Sequence, residues 1–211
     1  MSARGLLIAF EGIDGCGKST QAASFLERMR RQSLRPEAQL LREPGGTEFG
    51  ERVRELLLHG GVMDALTETL LYMASRSELY AQRVLPALER DELVVLDRTH
   101  YSTMAYQGSG LDVDEEFIMQ MARAATKGRE PDRIVLIDLP VEEATARMAA
   151  GSAEAPDRIE ARGAAYFEQV RAAYLRYAEA DPERFRVVDG ACGQDDVAAA
   201  VDASISDLLD G

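Results

Sequence analysis

Short apolar runs recur along the chain at residues 6–10, 39–41, 93–96, 134–137 and 185–188. Each has the length of a strand and lacks polar alternation, which predicts a parallel sheet covered by helices on both faces. Between these runs the apolar positions follow a helical period. Ala22, Phe25, Leu26 and Met29 share one helix face, as do Phe49, Val53, Leu56 and Leu57, and later Val197, Val201, Ile205 and Leu208. Strands alternating with helices over residues 1–211 predict a single three-layer α/β domain. Residues 107–114, which include Gly108 and Gly110, and residues 149–156 have few apolar anchors. Each of the two reads either as a surface loop or as a segment that closes over a ligand.

Composition narrows the partners. A net charge of −13 repels nucleic acid and anionic membrane, so neither is an expected partner, yet a local cluster of arginines still allows a small anionic ligand. The first apolar run has five residues, too few for a signal-peptide core or a membrane span. Cys16 and Cys192 stand far apart with no disulfide-framework spacing and read as reduced thiols, so the expected location is the cytoplasm.

The run at 6–10 leads through Glu11 into Gly12, Ile13, Asp14, Gly15, Cys16, Gly17, Lys18, Ser19 and Thr20. Gly, four residues, then Gly-Lys-Ser between a strand and a helix is the pattern of a phosphate-binding loop. The glycines let backbone N–H groups turn inward around phosphate oxygens, and the starting helix adds its positive end. The predicted ligand is a nucleoside triphosphate such as ATP. Lys18 would reach its β- and γ-phosphates and the Ser19 hydroxyl would ligate Mg²⁺. The fold class is therefore a P-loop NTPase sandwich with a five-stranded parallel sheet. Asp97, at the end of the run 93–96, reads as a second acid on the metal side or as the cap of the next helix, and the two roles are compatible.

A triphosphate site alone serves a kinase, an ATPase or a nucleotide switch. Arg42, Arg54, Arg76 and Arg98 near strand ends and on helices point to a second anion site, because guanidinium recognises phosphate bidentately. Tyr72 and Arg76 share a helix face at i, i+4 spacing, which suits stacking on a base and bonding to its edge.

Five runs then carry a resemblance: 42–47 (Arg-Glu-Pro-Gly-Gly-Thr), 70–76, Asp97-Arg98, 102–108 and 157–160 (Asp-Arg-Ile-Glu). Together, in this order and over roughly residues 6–190, they resemble bacterial thymidylate kinase. The resemblance implies that Tyr72 stacks on thymine and that Arg76 hydrogen-bonds a base oxygen. Thr103 and Gln107 would meet the base edge. Arg42, Arg54 and Arg98 would surround the monophosphate of dTMP. Asp14 would meet the sugar 3′-hydroxyl, Glu43 and Asp97 would act near Mg²⁺, and the loop at 189–195 would lie beside adenine. A homodimer is also implied.

The sequence departs from that family in one respect. A basic residue normally sits in the phosphate loop or in a mobile lid, here about 147–160, yet the loop has none before Lys18 and 149–156 has neither Lys nor Arg. The flanking Arg147 and Arg158 are the expected carriers of that charge, beside Lys18 and Arg98. The acceptor phosphate is already anionic, with a second pKa of about 6, so no general base is assigned. Other monophosphate acceptors, and a switch or ATPase with no acceptor, remain the alternative readings.

Overall fold

The computed structural model describes residues 5–32, 37–151 and 157–209. Five parallel strands form one sheet: β1 (Leu6–Glu11), β2 (Gln39–Arg42), β3 (Leu93–Asp97), β4 (Arg133–Asp138) and β5 (Phe185–Asp189). Their spatial order is β2-β3-β1-β4-β5. The chain thus leaves β1 in one direction, returns, and departs in the other. A crevice opens at this reversal, beyond the carboxyl ends of the strands.

Each predicted run is a strand, lengthened at its end by a polar residue. The register sets several of those ends side by side, Phe10 against Asp97 and Asp97 against Arg42. All six β1 residues are buried, including the charged Glu11. The outer strands β2 and β5 correct the expectation of burial on both faces. Arg42, Val187 and Asp189 are exposed, as edge strands allow.

Helix α1 (Lys18–Arg31) is followed by α2 (Glu48–His59) and α3 (Ala65–Leu79). A π-helical turn at Tyr80–Val84 leads α3 into α4 (Leu85–Glu89). After β3, α5 (His100–Thr103) runs into a second π-helical segment, Met104–Ser109, before α6 (Glu115–Thr126). The remaining helices are α7 (Val141–Gly151), α8 (Ala164–Ala180) and α9 (Gln194–Leu209). Helices α1 and α9 pack side by side against the sheet, α8 lies on β4 and β5, and α3 packs between α2 and α6.

The α1 face built from Ala22, Phe25, Leu26 and Met29 is buried as its spacing predicts. Each of its three large side chains contributes about 1.5–3 kcal/mol by leaving water. The α2 stripe needs correction. Val53 and Leu57 are buried, but Phe49 and Leu56 are about half exposed. The expected loop at 107–114 is corrected in part: residues 110–114 are turn and coil, but Gln107 and Gly108 are buried in the π-helical segment. Of the stretch 147–160, residues 152–156 lie outside the described residues. No helix among the described residues is long and apolar enough to cross a membrane.

Candidate active site

The loop after β1 owes its shape to glycine at two decisive points. Gly12 has φ +139°, and a Cβ there would come within 2.5 Å of the Ile137 carbonyl oxygen and 2.7 Å of Cys16 Sγ. Gly17, at φ +94°, faces open space and caps α1 without a side-chain bond. The first N–H groups of α1 are therefore left for an anion, where the helix dipole also favours one. Buried Lys18 places Nζ 3.4 Å from both the Ile13 carbonyl oxygen and Asp14 Oδ1. These are long contacts that a phosphate would outcompete. Ser19 and Thr20 are exposed.

Arg98 directly follows β3 and ties the loop to the second pocket. Its backbone adopts φ +76°, unusual for a long side chain, and its N–H donates to the Phe10 carbonyl at 3.0 Å. The guanidinium donates to Asp14 Oδ1 at 2.5 Å, Ser102 Oγ at 2.9 Å and the Gly12 carbonyl at 3.3 Å. Tyr106 donates to the other Asp14 oxygen at 2.9 Å. Burial alone would raise the Asp14 carboxyl, but the charges of Arg98 and Lys18 and these hydrogen bonds hold it well below the usual carboxylate range.

Beneath this pair lies Glu11, which has no exposed surface. It accepts from the Thr99 N–H at 2.7 Å, Thr99 Oγ1 at 2.8 Å, Ser102 Oγ at 2.7 Å and Tyr174 at 2.8 Å. A buried carboxylate is stable only with such a set of donors. Thr99 also caps α5. Asp97, the last residue of β3, is not that cap and lines a depression together with Ser19.

The second pocket is lined by Arg54 from α2 and Tyr72 from α3, by Thr103, Tyr106 and Gln107, and by Arg98 and Asp14. Of the four arginines expected to converge, Arg54 and Arg98 reach it. Arg76 stands behind it, fully buried, donating to Glu43 Oε2 at 2.6 Å and to Thr103 Oγ1 at 3.0 Å. Burial pushes the Glu43 carboxyl up to about 7 against the opposing charge of Arg76. Arg42 is exposed and bound to Glu51 at 2.7 Å, and it lines a separate depression with Ser19 and Asp97.

The two candidate lid arginines stand apart. Arg147 is exposed, donates to the Gly190 carbonyl at 3.0 Å, and borders a pocket with Cys16, Thr20 and Cys192 on the outer side of the phosphate loop. Arg158 donates twice to the Leu57 carbonyl, at 3.0 and 2.8 Å, and to Glu68 at 2.6 Å. Sequence reading missed Glu11, Glu68, Tyr174 and Arg162. The one available signal for Glu11 was a charge directly abutting an apolar strand.

A phosphate cradle and a second pocket joined by one arginine suit the passage of a phosphoryl group between two nucleotides, the arrangement of a nucleoside monophosphate kinase. The family profile described as "Thymidylate kinase" matches residues 10–201. The thymidylate kinase of Ralstonia nicotianae is 43% identical over 207 residues, 97% of this chain and 99% of that protein. That of Desulforudis audaxviator is 44% identical over 208 residues, 97% and 92% of the two chains. The crystal structure of thymidylate kinase from Ehrlichia chaffeensis superposes with a TM-score of 0.78 at 30% identity, covering 97% of this chain and 99% of that one. The chain belongs to the thymidylate kinase family. Its reaction is phosphoryl transfer from ATP to dTMP, giving dTDP and ADP.

Proposed function

We propose that ATP lies on the loop from Gly12 to Thr20, with adenine toward Arg147 and the loop at 189–195, while dTMP fills the pocket beneath Tyr72. The observation that carries this reading is Arg98, whose guanidinium touches both Asp14 of the phosphate loop and the lining of the second pocket. Thymine would stack on Tyr72 with its edge toward Thr103 and Gln107. The monophosphate would lie between Arg54 and Arg98, and Asp14 would take the sugar hydroxyl. Arg76 would support the base pocket from behind, through Thr103 and Glu43. Arg42, facing the other depression, would act from the metal side. Catalysis is then positioning and charge neutralisation, with no general base.

The family uses ATP, generally with a divalent metal. The residues present fit Mg²⁺. Among the described residues, Asp97 Oδ1 and Glu43 Oε1 are buried without a hydrogen-bond partner, and Ser19 lines the same depression as Asp97. Among the described residues no cluster of three metal-ligating side chains occurs. That suits an ion keeping several waters and nucleotide oxygens. When bound, Mg²⁺ would neutralise charge on the β- and γ-phosphate oxygens.

The missing loop charge falls to Arg147, which is exposed and, among the described residues, held by a single hydrogen bond, whereas Arg158 is anchored by three. Arg147→Ala is expected to lower kcat about a hundredfold, the effect of removing one transition-state donor. Arg158→Ala should instead cost stability with a smaller change in kcat. Steady-state assays with both nucleotides varied check this. If Arg147→Ala turns over normally, the charge comes from elsewhere.

The protein would work in the cytoplasm as a homodimer. Its cysteines are free, as in a reducing compartment. Phe49 and Leu56 on α2, Leu66 and Leu70 on α3 and Phe117 on α6 are exposed on three adjoining helices, an apolar surface suited to a second copy. Sedimentation velocity should give twice the mass of the chain, and Leu70→Glu should return it to a monomer. A monomer for the unaltered protein at micromolar concentration removes the proposal.

A further inference from the structure

Glu68 lies on α3, four residues before Tyr72, and has no exposed surface. Three side chains donate to it. Gln107 Nε2 approaches Oε1 at 2.7 Å, while Arg158 and Arg162 approach Oε2 at 2.6 and 2.7 Å. A carboxylate held between two guanidiniums only accepts. The Gln107 amide therefore cannot turn over, since its carbonyl oxygen would then face the carboxylate. With the NH₂ group turned back, Oε1 is left for the pocket that Gln107 lines, and among the described residues no donor meets it.

The neighbouring group is fixed in the opposite sense. Arg76, which only donates, gives an N–H to Thr103 Oγ1 at 3.0 Å from behind. The hydroxyl proton of Thr103 is thus free to point forward. The pocket presents one donor and one acceptor side by side, matching O4 and N3–H of a pyrimidine with a 4-oxo group. It mismatches cytosine, which offers an amino group and a bare N3 at those positions.

We propose that Glu68 is a positioning residue that sets the hydrogen-bond polarity of the base pocket, so that it selects 4-oxo over 4-amino pyrimidine monophosphates. The inference rests on the reading of Gln107 as a base-edge group. Sites built to pair one set of polar atoms reject the wrong partner strongly, because mismatched buried groups stay unpaired.

The test compares kcat/KM for dTMP and dCMP in the full-length enzyme and three variants. Glu68→Gln keeps the shape but can donate to Gln107 Oε1, which releases the Gln107 amide to turn its NH₂ toward N3 of cytosine. The dTMP/dCMP ratio is expected to fall at least tenfold, with most of the dTMP loss in KM. Arg162→Met removes one charge but leaves the Glu68–Gln107 bond, so it should change both substrates alike and keep the ratio. Gln107→Met should lower the ratio on its own. If it does not, the base-edge reading is wrong and the inference goes with it. If Gln107→Met lowers the ratio and Glu68→Gln does not, the role of Glu68 alone is overturned. Should Glu68→Gln fail to fold, the unaltered enzyme with ¹⁵N-labelled glutamine decides. Side-chain amide protons of Gln107 that stay protected from exchange with and without dTMP support the proposal, and protection that appears only on binding dTMP overturns it.

Discussion

Lys18→Ala is expected to fold normally and to lose about a thousandfold in kcat. Lys18 opens α1, where alanine is a good helix former, so the substitution leaves the helix intact. What disappears is a buried ammonium at the mouth of the loop, within 3.4 Å of the Asp14 carboxylate and of the Ile13 carbonyl. Neither contact has the short distance of a strong charged hydrogen bond, so the ammonium is held in place but not fully satisfied. Phosphoryl oxygens arriving on the α1 N-terminus would complete its partners. A preorganised donor aimed at developing charge contributes about 4 kcal/mol at most in comparable sites, which is a thousandfold at 1.4 kcal/mol per tenfold. Single-turnover measurements at saturating ATP and dTMP, with a melting curve for each protein, separate lost chemistry from lost folding. Turnover within tenfold of the unaltered enzyme would remove Lys18 from the mechanism.

The sheet and the phosphate loop were legible because their signals are local. An apolar run bounded by turns shows a strand whatever surrounds it, and the loop pattern carries its chemistry within nine residues. Arg98 could be read because it abuts the end of β3. Other features depend on contacts the sequence does not display. Glu11 is satisfied by Thr99, Ser102 and Tyr174, which are 88, 91 and 163 residues away. Glu68 looks like an ordinary helix surface acid until the fold brings Gln107, Arg158 and Arg162 to it. Arg42, at the end of β2, and Arg54, on the helix that follows, both read as arginines of one anion site, yet they line different depressions once the fold separates the strand end from the helix face. The α2 stripe shows the same limit. Its period reveals an apolar face but not which part the core covers, so Phe49 and Leu56 were assigned inward and lie outward. Gly108 suggested an open loop, but it sits packed against Glu115 and Ile118.

Arg98→Met is expected to remove both activity and acid-sensitive stability. The guanidinium joins Asp14 to the second pocket, and only its planar fork reaches Asp14, Ser102 and the Gly12 carbonyl together. Arginines that stabilise charge in phosphoryl transfer contribute about 10³–10⁵ in rate, so kcat/KM should fall at least a thousandfold. Arg98→Lys should recover little of it. The backbone at φ +76° is held against its own preference by the side-chain bonds, so their loss also loosens the turn after β3. Breaking this largely buried pair should cost about 3 kcal/mol at neutral pH. Asp14 gives that cost a pH signature. Its folded carboxyl lies below the unfolded value of 3.8, so its contribution is complete above about pH 4 and is lost as the pH falls through the folded pKa. In the variant the upward push of burial is no longer opposed by Arg98, and most of that contribution is absent at every pH. The difference in melting temperature between the two proteins should therefore be widest near neutrality and close as the pH drops below about 4. Kinetics measured well below both melting temperatures keep the two effects separate. A difference that stays constant from pH 7 to pH 2 would show that the Asp14–Arg98 pair does not carry the stability, and kcat/KM within tenfold of the unaltered enzyme would show that Arg98 does not carry the transfer.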